Sequence, residues 1–253
     1  MLRSPGWAWF WSFFRIAAAA AGIAAIVAQL VRSTSIALDA AEPYAASVVT
    51  VLTNFISFFT IDSNLIAAVT MAMGAILFWR RARTDISTTD PRWFAIVLAC
   101  ATTYMLITGI VYNTLLRGYP LQPGAVVAWS NELLHVWLPI AMALDLLVAP
   151  GRRALAWRDV WYVVIFPIVW VIYTMIRGPL ITSPSTGDPF WYPYPFLNPN
   201  NPNLVPTGWA GVATYIIGIA IGIIAVGFLV VWIGRLRAAS ARWAGIPGGA
   251  FQD

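Results

Sequence analysis

The sequence predicts an all-α fold, a polytopic membrane protein of six transmembrane helices, with residues 1–253 forming a single domain. Three observations carry that expectation. Of 253 residues, 60% are apolar and only 10% are charged, against roughly 25% charged in soluble domains. The apolar residues gather in six runs, each about as long as the ~20 residues a helix needs to cross a hydrocarbon core about 30 Å thick. Short segments that alternate polar with apolar residues, as barrel strands do, are missing from the sequence.

The runs extend from Trp7 to Val31, Phe55 to Trp79, Trp93 to Leu116, Val126 to Ala149, Val160 to Ile176 and Trp209 to Ile233. The first is too long for a secretory leader and lacks a small-residue cleavage site, so it reads as a retained span. The fifth is the shortest. Between the first two, the segment from Ser33 to Asn54 holds Asp39, Glu42 and Pro43 before a moderately apolar stretch. It reads either as an interfacial helix or as an outward extension of the second span. No internal repeat points to inverted-repeat transport machinery.

All 15 basic residues are arginine. Twelve of them (Arg3, Arg15, Arg80, Arg81, Arg83, Arg92, Arg152, Arg153, Arg158, Arg235, Arg237 and Arg242) fall to one side of the runs, and Arg32, Arg117 and Arg177 to the other. The positive-inside rule then puts both termini in the cytoplasm. Orientation accounts for the +5 charge, so no nucleic-acid partner is implied. One cysteine, Cys100, lies within a run, and His135 is the sole histidine. Disulfides, Cys-based metal sites, multi-His zinc and bis-His haem are excluded on this chain, and neither metal nor cofactor is expected.

The longest loop, from Gly178 to Thr207, falls on the extracytoplasmic side in this topology and contains eight prolines. Its centre, Trp191 to Asn198, mixes aromatics with proline. Proline lowers the entropy lost on ordering, and Trp and Tyr favour the membrane interface. The expectation is a semi-rigid cap on the outer face rather than a floppy linker.

Ionisable groups within spans are costly and mark candidate sites. Arg15 lies near the inner end of the first span, where it can reach lipid headgroups. Asp145 lies near the inner end of the fourth, within range of a loop arginine. In the second span, Asn54, Ser57, Thr60 and Asn64 recur at three- and four-residue spacing, which places them on one helix face, with Asp62 and Ser63 beside it. Such a face turns inward, since lipid satisfies no hydrogen bonds. Bonding between helices is its plain explanation. In the fourth span Asn131, Glu132 and His135 share a side, and Pro139 frees the carbonyl of His135.

Depth separates the two readings. Counting about 20 residues outward from Arg80 and from Gly151 puts Thr60 near the outer boundary and His135 about 6 Å deeper. Both lie beneath the aromatic loop, with Tyr112 and Asn113 arriving from the third span. A threonine hydroxyl needs a neighbouring base to become a nucleophile, and a neutral imidazole suits that role. Glu132 or Asn131 can orient the ring, and Asn64 can donate to a developing oxyanion. Ser57, Tyr112 and Tyr194 complete the candidate pocket.

Phe58-Phe-Thr-Ile-Asp-Ser-Asn64, Asn131-Glu-Leu-Leu-His-Val-Trp-Leu-Pro139 and Tyr194-Pro-Phe-Leu197 resemble signatures of the androgen-induced-protein family and its bacterial six-span relatives. The resemblance runs in order from the second span through the last loop. Animal members are threonine hydrolases of fatty-acid esters of hydroxy fatty acids. The resemblance therefore implies a lipid-ester substrate, membrane lipids as partners and, through the bacterial branch, a bacterial plasma membrane. It also implies that Thr60 is the nucleophile and His135 the essential histidine. The histidine stands four residues before the proline, one closer than in the animal proteins. The competing expectation is a non-enzymatic accessory subunit or lipid-binding protein, since no third triad member is evident. A small-molecule transporter is a further alternative, disfavoured by the lack of repeats.

Overall fold

The computed structural model describes residues 4–82, 89–119 and 124–243, with side chains through residue 239. Arg3, Arg83 and the side chain of Arg242, used above for orientation, lie outside them. Among the described residues all regular structure is helical, and six helices are long and apolar enough to cross a membrane.

The first, α1 (Pro5–Leu38), starts where Ser4 accepts the amide of Trp7 at 3.2 Å and Pro5 supplies a preset φ. Its 34 residues rise about 51 Å, so it outlasts a hydrocarbon core. It passes the end expected at Val31 because its last turns satisfy their own polar groups. Thr34 and Ser35 donate back to the carbonyls of Leu30 and Arg32.

The ambiguous segment divides. Residues 33–38 continue α1, and α2 (Val48–Phe55) is a separate short helix capped by Ser47. It is not continuous with α3 (Phe59–Arg81). The break at Ile56 to Phe58 has identifiable causes. Trp170 Nε1 donates to the Ser57 carbonyl at 3.0 Å, and the Ser57 hydroxyl takes the Thr53 carbonyl at 2.6 Å. Arg177 holds the side chains of Thr53 and Asn54. Acceptors that a continuing helix needs are thus taken by side chains. The single polar face expected across Asn54, Ser57, Thr60 and Asn64 is therefore corrected. Only Thr60 and Asn64 share a helix.

Helix α4 (Arg92–Val111) runs into a π-helical turn, Tyr112–Leu116. The fourth span is α5 (Ala128–Glu132), a second π-helical turn (Leu133–Trp137) and α6 (Leu138–Val148). The fifth joins a 3-10 segment, Trp157–Val164, to α7 (Ile165–Arg177). It begins before the expected Val160 because its charges are satisfied. Asp159 accepts from the Ala156 amide at 3.1 Å and pairs with Arg92 at 2.7 Å. The last span is α8 (Gly208–Trp243).

Helices α3 and α4 are the most buried spans. On one side α1, α3, α4 and α6 enclose a core around Met71, Phe94, Leu98, Met105 and Met142. On the other, α4, the 3-10 segment and α8 pack around Tyr104, Val160, Val163 and Ile223. On α7, Phe166 and Trp170 pack against that second core, and Ile168, Val169 and Ile172 are exposed. At the α1–α6 end, Arg15 does not reach outward. It is 4% exposed and grips Asp145 at 2.6 and 3.0 Å, where Trp11 and Arg152 also donate. A carboxylate within reach outweighs snorkelling, because a buried charge left unpaired is very costly.

The segment after α7 folds back onto the bundle. The Trp191 amide donates to the Gly178 carbonyl at 2.9 Å, and Tyr192 packs so closely on Gly178 that any Cβ there would collide with its ring. Phe196, Leu197 and Leu204 are buried against Val212 of α8.

Candidate active site

Thr60 stands in the first turn of α3, where backbone N–H groups have no partner within the helix. Phe58, at the N-cap, offers no side-chain acceptor. The Tyr194 hydroxyl fills that place, accepting the Thr60 amide at 3.1 Å and lying 3.3 Å from Thr60 Oγ1. Tyr194 is positioned by rings: it stacks on Phe196 and meets Phe58 and Trp170. Burial pushes its phenol up to about 12, so it stays protonated at any physiological pH.

Thr60 Oγ1 lies 3.1 Å from His135 Nε2. The other ring nitrogen, Nδ1, is 2.9 Å from the Asn131 carbonyl. A carbonyl oxygen only accepts, so Nδ1 carries the proton and Nε2 presents a lone pair. The threonine hydroxyl then donates to Nε2. This is the tautomer that general-base activation requires. Tyr112 covers the imidazole face, its ring stacked 3.9 Å from the imidazole centroid, and Asn131 Nδ2 donates to the Tyr112 hydroxyl.

The π-helical turn explains how His135 reaches this place. There the bonding runs five residues back, as from the Leu138 amide to the Leu133 carbonyl. Pro139 has no N–H, so the carbonyls four and five residues before it, those of His135 and Leu134, lose their donor. Both are served by asparagines from other spans. Asn113 Nδ2 donates to the His135 carbonyl at 3.2 Å, and Asn64 Nδ2 to that of Leu134 at 3.2 Å. Asn64 also donates to the Thr60 carbonyl at 2.8 Å. Its amide is thereby committed to two backbone acceptors, and the oxyanion role expected for it is corrected to tying the first turn of α3 to the turn that carries His135.

The other candidates stand further out. Glu132 does not touch the imidazole. It makes a two-pronged ion pair with Arg117 at 2.8 and 3.0 Å, and Arg117 lies over the Tyr112 ring. Through Arg117, Glu132 supports the Tyr112 ring that covers the imidazole. Ser57 bonds Tyr173 at 2.9 Å rather than Thr60 Oγ1, which bonds His135 and Tyr194. Asp62, half-buried in the first turn of α3, is favoured there by the helix dipole.

A cavity of about 350 Å³ begins at Thr60, Tyr112 and Tyr194 and extends between α4, the fifth span and α8 to Trp161 and Ile224. Its wall is almost wholly apolar, with Ile107, Ile168, Ile219 and Ile223 prominent. From Ile216 to Ile224 on α8 it spans about 12 Å. A hydroxyl at one end of a long apolar slot suits a linear alkyl chain carrying a polar group at one end. No group of three or more His, Cys, Asp or Glu side chains among the described residues is placed to hold a metal.

Sequence reasoning missed Arg117 as a support of the site, and Trp170 and Arg177 as the residues that end α2. The spacing of Asn113 and Arg117, four apart, held the signal for the first: Arg117 Nε donates to Asn113 Oδ1 at 2.8 Å. The second pair left none, since both act across spans. Comparison with protein-family models, with curated proteins and with solved structures finds no match to this chain.

Proposed function

We propose that this protein is an intramembrane acyl-ester hydrolase with Thr60 as nucleophile and His135 as base, the activity implied by its resemblance to the androgen-induced-protein family. The observation that carries the reading is the 3.1 Å bond between Thr60 Oγ1 and the unprotonated His135 Nε2, at the end of an apolar cavity.

In the forward step His135 Nε2 takes the Thr60 proton while Oγ1 attacks the ester carbonyl carbon. The tetrahedral intermediate collapses, and the imidazolium gives its proton to the departing alcohol oxygen. The acyl group is left on Thr60. Water then enters, loses a proton to His135 and attacks the acyl carbon, which releases a carboxylic acid and restores Thr60. One ester and one water become one acid and one alcohol.

The substrate class is a fatty-acid ester, with one chain in the cavity. The arginine bias supports cytoplasmic termini in a bacterial plasma membrane, hence a site in the outer half beneath the aromatic loop. Release of free fatty acid from a long-chain ester of a hydroxy fatty acid by the purified protein tests the reading. Thr60→Ala should fall to background while Thr60→Ser retains turnover. Undiminished release by Thr60→Ala contradicts it.

One observation favours a second reading. His135 Nδ1 rests on a backbone carbonyl rather than a carboxylate, and a lipid-binding protein or accessory subunit needs no activated base. Tight binding of a fatty-acyl ester without hydrolysis would select that alternative.

A further inference from the structure

We propose that the Tyr194 hydroxyl supplies the oxyanion hydrogen bond, moving its proton's bond from Thr60 Oγ1 to the carbonyl oxygen as the tetrahedral intermediate forms. The inference rests on the hydrolase reading above.

At rest the phenol oxygen accepts the Thr60 amide at 3.1 Å, while its own proton has only Thr60 Oγ1, at 3.3 Å, among its described partners. That separation is long for an O–H···O bond, whose usual length is about 2.7–2.8 Å. The proton is thus weakly held and aimed beside the attacking atom. When Oγ1 bonds to the carbonyl carbon, the new oxyanion lies one carbon away and attracts that proton more strongly than an ether-like oxygen does. Tyr194 shares the cavity wall with Thr60, so a bound ester's carbonyl meets it.

Several nearby donors are committed elsewhere. Asn64 serves two carbonyls, and Ser63 and Thr108 are engaged with each other at 2.9 Å. Little reorganisation is needed, because Phe58, Trp170 and Phe196 fix the phenol ring. The burial that keeps the phenol protonated also strengthens a bond to a developing charge.

The experiment compares wild type, Tyr194→Phe and Thr60→Ala for ester turnover and for binding of two inert fatty-acyl ketones. A trifluoromethyl ketone forms a tetrahedral oxyanion adduct on the nucleophile, and a methyl ketone stays trigonal. In Tyr194→Phe, kcat should fall about 10²–10³-fold with KM unchanged. The trifluoromethyl ketone should weaken by a similar factor while the methyl ketone, which reports an intact pocket, binds as before. Wild-type kcat in Tyr194→Phe, with Thr60→Ala inactive, overturns the Tyr194 assignment alone. Equal weakening of both ketones gives Tyr194 a packing role and overturns it too. Full turnover in Thr60→Ala removes the hydrolase reading and this inference with it.

Discussion

In the proposed hydrolase, Thr60 is served by two contacts of different kinds. His135 Nε2 accepts its proton, and the Tyr194 oxygen holds its amide. Replacing His135 with alanine should bring ester turnover to the level of Thr60→Ala, and combining the two should cost no more than either alone, since residues acting as one unit are strongly non-additive. Full additivity of the two losses would separate them functionally. Tyr194 makes a prediction of its own. Burial pushes its phenol up to about 12, against about 10 for a free tyrosine. In an alkaline titration the phenolate absorbance lost in Tyr194→Phe should therefore belong to the late part of the curve. The sign also follows: the unfolded chain releases this proton first, so the contribution to stability is intact below about pH 10 and fades as pH rises toward about 12.

Among single residues, chemistry, depth and the family resemblance singled out Thr60 and His135 as candidates. Their 3.1 Å contact, made across two spans, was not readable from the sequence. Asn64 was misread for a physical reason. Its spacing from Thr60 announced a shared face, but nothing along the sequence shows that a proline on another span has orphaned the Leu134 carbonyl.

The elements that matter most are the two π-helical turns, Tyr112–Leu116 and Leu133–Trp137, which place Tyr112 and His135 against each other. Apolar periodicity locates spans well, but a one-residue change in helical bonding leaves no mark on it. Removing the Asn64 amide by Asn64→Ala leaves the buried Leu134 carbonyl without its donor, at about 1–3 kcal/mol. The thermal midpoint of the purified protein should drop, and turnover should fall further than stability does, as the two turns lose register. A stable, fully active Asn64→Ala variant would remove the tie. Gly109 allows α4 its close approach to the fourth span. A Cβ there would lie 3.0 Å from Pro139 Cβ and 3.3 Å from the His135 carbonyl oxygen. Gly109→Ala should cost about 1–3 kcal/mol by overpacking and displace His135 from Thr60. Wild-type melting and turnover in this variant would show that the helices can part freely. The break between α2 and α3 was illegible for a related reason, being imposed from α7 by Trp170 and Arg177.

Across the whole molecule, the six spans and their order followed from composition and run length, because a hydrocarbon core admits few other solutions. The sequence placed Asp145 within range of a loop arginine, which is Arg152, but did not show that Arg15 turns inward to share it. Arg15 and Arg152 converge on Asp145, which is 0% exposed, and join α1, α6 and the loop after it. Asp145→Ala leaves two buried guanidinium groups without their carboxylate, a loss of about 3–5 kcal/mol. Its yield of folded protein in detergent should collapse, whereas Glu132→Ala, at a half-exposed pair, should scarcely change it. Equal yields would mean that the buried cluster is not what locks these spans.

The most direct test of the central claim is the covalent state of the protein after exposure to a long-chain alkyl fluorophosphonate, read by intact mass and peptide mapping. The account predicts one adduct, on Thr60, formed by wild type and missing from Thr60→Ala and His135→Ala. An unlabelled wild type, or labelling that persists undiminished in both variants, would contradict a nucleophile at Thr60 activated by His135.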